Sequence, residues 1–216
     1  MVTDAPVAAN ASQLNQRRIG LTGGIASGKS SVGRELAKRH QLPVLDADVY
    51  AREALAPGTA ATHAVLAHFG EAVALGGQAT TGSQDAAINR AALGQVVFSD
   101  SAARAWLEAL VHPLVRQRFD AALTELAAAP VVVLMIPLLF EAGLEGLCSE
   151  TWLVDCDAPQ QLARLMARDG LSEADARARI AAQWPLARKR ELATVVLDNR
   201  GNPAALAEQV AAALHP

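Results

Sequence analysis

The sequence predicts an α/β fold with a five-stranded parallel sheet, a long helical insertion after the second strand and a helical lid after the fourth. Three observations support this prediction. A glycine-rich motif stands between an apolar run and an amphipathic stretch. Residues 131–136 are β-branched or continuously apolar, which is typical of a central strand buried on both faces. Residues 52–128 separate the second and third strands, far more chain than an ordinary βα connection needs.

The glycine-rich motif predicts a phosphate-binding loop. Residues 23–30 read Gly-Gly-Ile-Ala-Ser-Gly-Lys-Ser and match G-x-x-x-x-G-K-[ST]. Such a loop turns N–H groups toward an anion, Lys29 can reach the β- and γ-phosphates, and the Ser30 hydroxyl can bind Mg²⁺. The alternative, a glycine-rich turn without a ligand, does not account for the strand before it and the helix after it. We therefore expect ATP and Mg²⁺ to bind, with nucleotide contacts from Ala26, Ser27, Gly28, Lys29, Ser30 and Ser31.

Composition narrows the class of protein. The 216 residues carry a net charge of −3, which argues against a general nucleic-acid binder. The two cysteines form no C-x-x-C pair, so we expect free thiols rather than a zinc site or disulfide. No apolar run is long enough to span a membrane. Residues 1–16 lack the pattern of a secretion signal, and we expect a disordered leader on a cytoplasmic protein.

Two acids follow the second strand. Asp46 and Asp48 should lie near the phosphates, because ligands of open parallel sheets bind beyond the carboxyl ends of the strands. A period of two places both acids on one side while the chain remains extended. The alternative for one of them is the N-cap of a helix that begins near Val49.

The third strand and the insertion supply further candidates. Glu141 comes shortly after the third strand and should emerge at the same sheet edge; a helix cap or a salt-bridge partner is the alternative. The insertion of residues 52–128 is interpreted as a substrate-binding subdomain, because its length exceeds that of a connecting loop.

A basic helical hairpin follows the fourth strand. Arg164 and Arg168 lie four residues apart and share one helix face. The hairpin is similar to the lid of small phosphoryl-transfer kinases, in which arginines neutralise the charge that develops on the phosphates. A solvated helix face is the alternative. Asn199 stands in a turn after the fifth strand, where it could approach the base.

The chain closely resembles the dephospho-CoA kinase family from about Ile19 to about Leu214. The glycine-rich loop alone occurs in many families, and Asp-Ala-Asp and His-Pro in this order are more specific. The resemblance is carried by the loop, Asp46-Ala47-Asp48, Ala51-Arg52, Arg90, Val97-Phe98, His112-Pro113, Pro137-Leu138-Leu139-Phe140-Glu141, Gln183, Lys189 and Asp198-Asn199-Arg200-Gly201.

The resemblance implies ATP-dependent phosphorylation of the ribose 3′-hydroxyl of dephospho-CoA. It implies a nucleotide core (17–51, 129–158 and 193–216), a CoA-binding helical domain (52–128) and a lid (159–192), in a monomer or weak homo-oligomer. By motif position, Asp48 would be the general base, with Lys29 and Arg168 as further catalytic residues. Substrate-binding residues would be Asp46, Arg52, Arg90, His112 and Glu141.

Ala26 departs from the family pattern, which usually has glycine there. Alanine fits if φ is negative, and a positive φ would distort the anion-binding loop. Asn89 and Thr194 replace acids and are interpreted as tolerated changes.

Two rival functions remain open from the residues alone. The nearest is another kinase of this fold that acts on a nucleoside or nucleotide. The other is a nucleotide-dependent switch, which the absence of an N-K-x-D motif and the paired acids disfavour.

Overall fold

The fold is described from a computed structural model, which covers residues 16–77 and 86–215. Within these residues five strands form one parallel sheet in the order β2-β3-β1-β4-β5. This confirms the predicted sheet. The strands are β1 (Arg17–Gly23), β2 (Val44–Asp46), β3 (Val131–Met135), β4 (Glu150–Asp155) and β5 (Val195–Asp198).

The helices follow the strands in the expected order. Before β3 come α1 (Lys29–Lys38), α2 (Ala47–Ala54), α3 (Ala60–Phe69), α4 (Arg90–Ser99) and α5 (Ser101–Glu125). After β4 come α6 (Ala158–Asp169), α7 (Glu173–Ala181) and α8 (Leu186–Leu192), and α9 (Pro203–Leu214) follows β5. Within the described residues no helix is both long and apolar enough to cross a bilayer.

The alternation along β3 divides the core between the two faces of the sheet. Val132 and Leu134 pack in a cluster with Phe119 of α5, whereas Val133 packs in a second cluster with Leu36 of α1. Successive side chains of a strand point to opposite faces, so a continuously apolar strand is buried on both. The sheet therefore holds α1 and α9 on one face and α5 on the other.

The insertion has a smaller apolar cluster of its own. Val65 and Leu66 of α3 pack there with Leu93 of α4. Helix α2 packs along α5, which belongs to the main core cluster through Val115 and Phe119. The insertion is therefore anchored to the sheet by the long helix α5.

Two boundaries from the sequence can be compared with the packing. Gln16, assigned to the leader, is buried and donates hydrogen bonds to the carbonyls of Leu126 and Ala129 at 2.7 and 2.9 Å. The rest of the leader lies outside the described residues. Helix α8, assigned to the lid, packs against β4, and its Lys189 is fully buried. The domain limits themselves remain predictions.

Candidate active site

The phosphate-binding loop joins β1 to α1, as the sequence predicts. Lys29 is the first residue of α1, and its Nζ lies 3.0 and 2.9 Å from the carbonyl oxygens of Gly23 and Gly24. Gly28 has a φ of +108°, and a Cβ there would lie 2.1 Å from Asn199 Nδ2. Only glycine fits, because that φ and that close approach both exclude a side chain.

The side chain of Asn199, which directly follows β5, contacts the phosphate-binding loop. Its Nδ2 donates a hydrogen bond to the Ser27 carbonyl at 2.7 Å. The Ser27 side chain is fully buried, whereas Ser30 and Ser31 are exposed at the start of α1. The amide of Asn199 is therefore engaged with the loop itself, and its predicted contact with the nucleotide stays a prediction.

Ala26 has a φ of +58°, in the left-handed region. The negative φ at which alanine would fit without distortion is therefore not adopted. An L-residue with a side chain is disfavoured in this conformation.

The surroundings of Lys29 favour its neutral form, so its ammonium group loses a proton at a lower pH than usual. Burial, followed by the charge of Lys189, lowers the pKa of Lys29 to about 8. Arg168 acts in the same direction, whereas Asp48 opposes the shift. Lys29 and Arg168 thus bring positive charge to the cavity beside the loop, as expected of a site for a polyanion.

The two predicted acids have different roles in the fold. The Asp46 carboxylate is the N-cap of α2 and accepts a hydrogen bond from the Asp48 N–H at 2.8 Å. The chain is already helical at Ala47, so the extended period-two arrangement is wrong. Burial raises the pKa of Asp46. Asp48 is exposed in the first helical turn and is left free to face the cleft.

Two neighbouring cavities meet at Asp48. A cavity of about 650 Å³ is lined by Lys29 and Ser30 of α1 and, from the segment after β4, by Arg164, Arg168 and Gln183. A second cavity of about 230 Å³ is lined mainly by apolar side chains of α2, α5 and the segment after β3. Among their lining residues, Asp48, Pro137 and Leu138 are shared by both cavities. One carboxylate therefore stands between the phosphate-binding cleft and an apolar pocket.

Helix α6 brings two arginines to the larger cavity. Arg164 and Arg168 both line the larger cavity. Arg164 donates a hydrogen bond to the Asn199 carbonyl at 3.0 Å, and Arg168 pairs with Asp169 at 2.7 Å. The predicted shared face of the two arginines is thus directed toward the loop.

No group of three or more His, Cys, Asp or Glu side chains within residues 16–77 and 86–215 could hold a metal ion. The donor set in the larger cavity is the Ser30 hydroxyl with the Asp48 carboxylate. This set suits Mg²⁺, which takes few protein ligands and completes its shell with phosphate oxygens and water.

Comparisons with known proteins agree with this geometry. The family model described as dephospho-CoA kinase matches residues 17–205. A dephospho-CoA kinase of Prochlorococcus marinus (strain MIT 9313) is 60% identical over 195 residues, which cover 90% of this chain and 94% of the relative. One of Synechococcus sp. (strain CC9605) is 65% identical over 191 residues, covering 88% of each chain. The chain belongs to the dephospho-CoA kinase family.

Two solved structures are similar to this chain over most of its length. A dephospho-CoA kinase from Campylobacter jejuni superposes with a TM-score of 0.64 at 25% identity, covering 91% of this chain and 94% of the other. A crystal structure from Thermus thermophilus gives a TM-score of 0.77 at 40% identity, covering 93% and 96%.

The acceptor-side residues that the dephospho-CoA kinase resemblance implies are not all in one place. His112 of α5 lines the apolar cavity. Arg90 donates hydrogen bonds to the carbonyls of Arg52 and Leu55 at 3.0 and 3.3 Å, which ties α4 to the end of α2. The Arg52 and Arg90 side chains are exposed beside α2, and neither lines the cavity.

Glu141 forms an internal ion pair. Its Oε1 lies 2.7 Å from Lys189 Nζ and accepts a hydrogen bond from the Trp184 N–H at 3.0 Å. Lys189 also donates to the Pro137 carbonyl at 3.0 Å. This matches the salt-bridge alternative for Glu141, and its binding of substrate stays a prediction. From the sequence, Lys189 and Gln183 were only marks of the resemblance to the dephospho-CoA kinase family, without a predicted role.

Proposed function

We propose that the protein transfers the γ-phosphoryl group of ATP to the ribose 3′-hydroxyl of dephospho-CoA, giving coenzyme A and ADP. The observation that carries the proposal is the position of Asp48 between the phosphate-binding cleft and the apolar pocket. A residue there can touch a donor and an acceptor bound on opposite sides. Membership of the dephospho-CoA kinase family supports the choice of acceptor.

On the donor side, the loop amides and Lys29 would bind the triphosphate. Catalysis of phosphoryl transfer depends mainly on alignment of the donor with the acceptor and on stabilisation of charge on the transferred group. Arg164 and Arg168 line the same cavity and would supply that charge from the lid. Ser30 would hold Mg²⁺, which supplies neutralising charge for the β- and γ-phosphates when bound.

On the acceptor side, Asp48 would accept the proton of the attacking hydroxyl. An ionised carboxylate within reach of that hydroxyl can act as general base. His112 and the apolar wall from α5 lie on the same side and would contact the acceptor. Asp46 orients the first turn of α2 through its hydrogen bond to Asp48 N–H, so it supports the base indirectly.

The test is ADP release from Mg-ATP with and without dephospho-CoA, with the product weighed by mass spectrometry. We expect strong stimulation and a product heavier by one phosphate. ATP binding without stimulation would overturn the choice of acceptor. If the protein is instead a nucleoside or nucleotide kinase, nucleosides or nucleoside monophosphates should stimulate ADP release. They, and not dephospho-CoA, should also protect residues 52–128 from proteolysis.

Two further predictions concern the cellular location and the oligomeric state of the protein. A cytoplasmic location and a monomeric or weakly oligomeric state remain expectations from the sequence. Gel filtration across a range of protein concentrations tests the second.

A further inference from the structure

Two glutamines hold the Ile25 peptide groups inside the phosphate-binding loop. Gln183, which follows α7, accepts a hydrogen bond from the Ile25 N–H through Oε1 at 2.8 Å. Gln161, on α6, donates from Nε2 to the Ile25 carbonyl at 2.8 Å. Gln161 is buried, and a Cβ on Gly24 would lie 2.4 Å from its Nε2. The glycine at position 24 therefore makes room for this contact.

The two bonds act on the peptides that flank Ile25. The Ile25 N–H belongs to the peptide shared with Gly24, and the Ile25 carbonyl belongs to the peptide shared with Ala26. The orientation of the second peptide determines φ of Ala26. A bond from Gln161 to that carbonyl therefore restrains the torsion that lies in the left-handed region at +58°.

We propose that Gln161 and Gln183 are positioning residues that hold the loop in its ATP-binding conformation against the preference of Ala26 for a negative φ. An unrestrained alanine leaves the left-handed region readily, because a side chain is disfavoured there. Leaving it would rotate the N–H groups that line the anion site. The inference rests on the proposed use of ATP.

The arrangement also links the loop to the lid. Gln161 lies on the same helix as Arg164 and Arg168, which line the phosphate-binding cavity. The helix that supplies charge to the phosphates thus also holds the loop that binds them. A displacement of α6 would remove both contributions together.

The chemistry of the two contacts allows a matched test. An N–H can only donate and a carbonyl can only accept, so Gln183 must present its oxygen and Gln161 its nitrogen. Gln183→Glu keeps the acceptor, whereas Gln161→Glu removes the donor and places a carboxylate against a carbonyl. Both variants add one negative charge next to Ile25. Gln183 also lines the phosphate-binding cavity, so Gln183→Glu repels ATP directly, and the loss in Gln161→Glu has to exceed one that already includes this repulsion.

The measurement is the Kd for Mg-ATP by calorimetry, without an acceptor. We expect Gln161→Glu to weaken binding at least about fivefold more than Gln183→Glu, the factor that one ordinary hydrogen bond contributes. Equal losses would overturn the proposal. Circular dichroism and thermal unfolding without nucleotide check that both variants fold.

Ala26→Gly gives a second test that does not depend on the glutamate variants. Glycine adopts a positive φ without penalty. Loss of the Gln161 hydrogen bond should therefore weaken ATP binding less when residue 26 is glycine. We expect Gln161→Ala to weaken ATP binding several-fold less in the Ala26→Gly background than in the parent. Equal losses in both backgrounds would show that Gln161 does not act through Ala26.

The two proposals fail in different ways. A parent protein that binds ATP but does not phosphorylate dephospho-CoA contradicts the proposed function alone. A parent that phosphorylates dephospho-CoA, with equal losses in either test, contradicts the positioning role alone.

Discussion

Lys189 and Glu141 form an ion pair of 2.7 Å behind the phosphate-binding loop, with the Lys189 side chain fully buried. Lys189 also reaches the Pro137 carbonyl, which accepts a second hydrogen bond from Thr22 Oγ1 at 3.1 Å. Pro137 lines both cavities at their boundary. The pair therefore holds in place the segment that separates the two cavities.

Removal of one partner of this pair should destabilise the fold. We expect Lys189→Met to lower the free energy of unfolding by about 3 kcal/mol, because a buried carboxylate loses its partner. The double variant Lys189→Met/Glu141→Gln should lose less than the sum of the two single variants. Urea unfolding of the four proteins measures the coupling. Strictly additive losses would show that the two charges act independently.

ATP binding should weaken above about pH 8. Lys29 has a pKa lowered to about 8, and only its protonated form attracts the triphosphate. We expect the association constant for ATP to be level below this pH and to fall about tenfold per pH unit well above it. The pKa of Lys29 is lower in the folded state than the unfolded value of 10.5, so the unfolded chain binds more protons between about pH 8 and 10.5. The contribution of Lys29 to the free energy of unfolding therefore rises with pH in this range, whereas ATP affinity falls.

Calorimetry in two buffers of different ionisation enthalpy tests the same pKa directly. ATP binding at pH 8 should take up about half a proton, because half of the Lys29 side chains are neutral there. Lys29→Arg is the control, since arginine stays protonated throughout this range. Lys189→Met should move the transition to higher pH by removing a neighbouring positive charge. If Lys29→Arg takes up the same number of protons on ATP binding, the uptake belongs to another group.

Asp48→Asn should lower kcat by at least about 100-fold, the low end of general-base contributions, while ATP still binds. Asp46→Asn is the matched comparison. Asparagine caps a helix as well as aspartate does, so the first turn of α2 should persist and the fall in kcat should be smaller. Steady-state kinetics with ATP and dephospho-CoA, together with ATP titration, separate the two effects. Near-normal turnover in Asp48→Asn would remove Asp48 from the chemistry.

A contact between lid and insertion should assist binding of the acceptor. The Arg179 guanidinium of α7 lies 4.9 Å from the centre of the half-exposed Phe98 ring of α4. We expect Arg179→Gln to raise KM for dephospho-CoA about threefold, the strength of an exposed cation–π contact. Arg177→Gln is the control, because Arg177 pairs with Glu173 on the same helix. Equal changes in KM would indicate a general effect of lid charge.

Much of the framework could be predicted from local patterns. The turn between β1 and α1, the apolar β3 and the cap that one of the acids after β2 provides depend on residues a few positions apart. Backbone geometry alone brings such residues together. The motif therefore predicted correctly that a glycine-rich turn joins β1 to a helix beginning at Lys29; phosphate binding by this loop stays a prediction.

The sequence by itself thus determined the fold class, the family and the phosphate-binding loop. The tertiary structure decided how the site is assembled. The Ile25 peptides are held by Gln161 and Gln183, 136 and 158 residues away along the chain. The ion pair of Lys189, the position of Asp48 between two cavities and the positive φ of Ala26 likewise depend on helices packed from distant segments. Local propensity carries no information on such contacts, because they exist only once the sheet has brought those helices together.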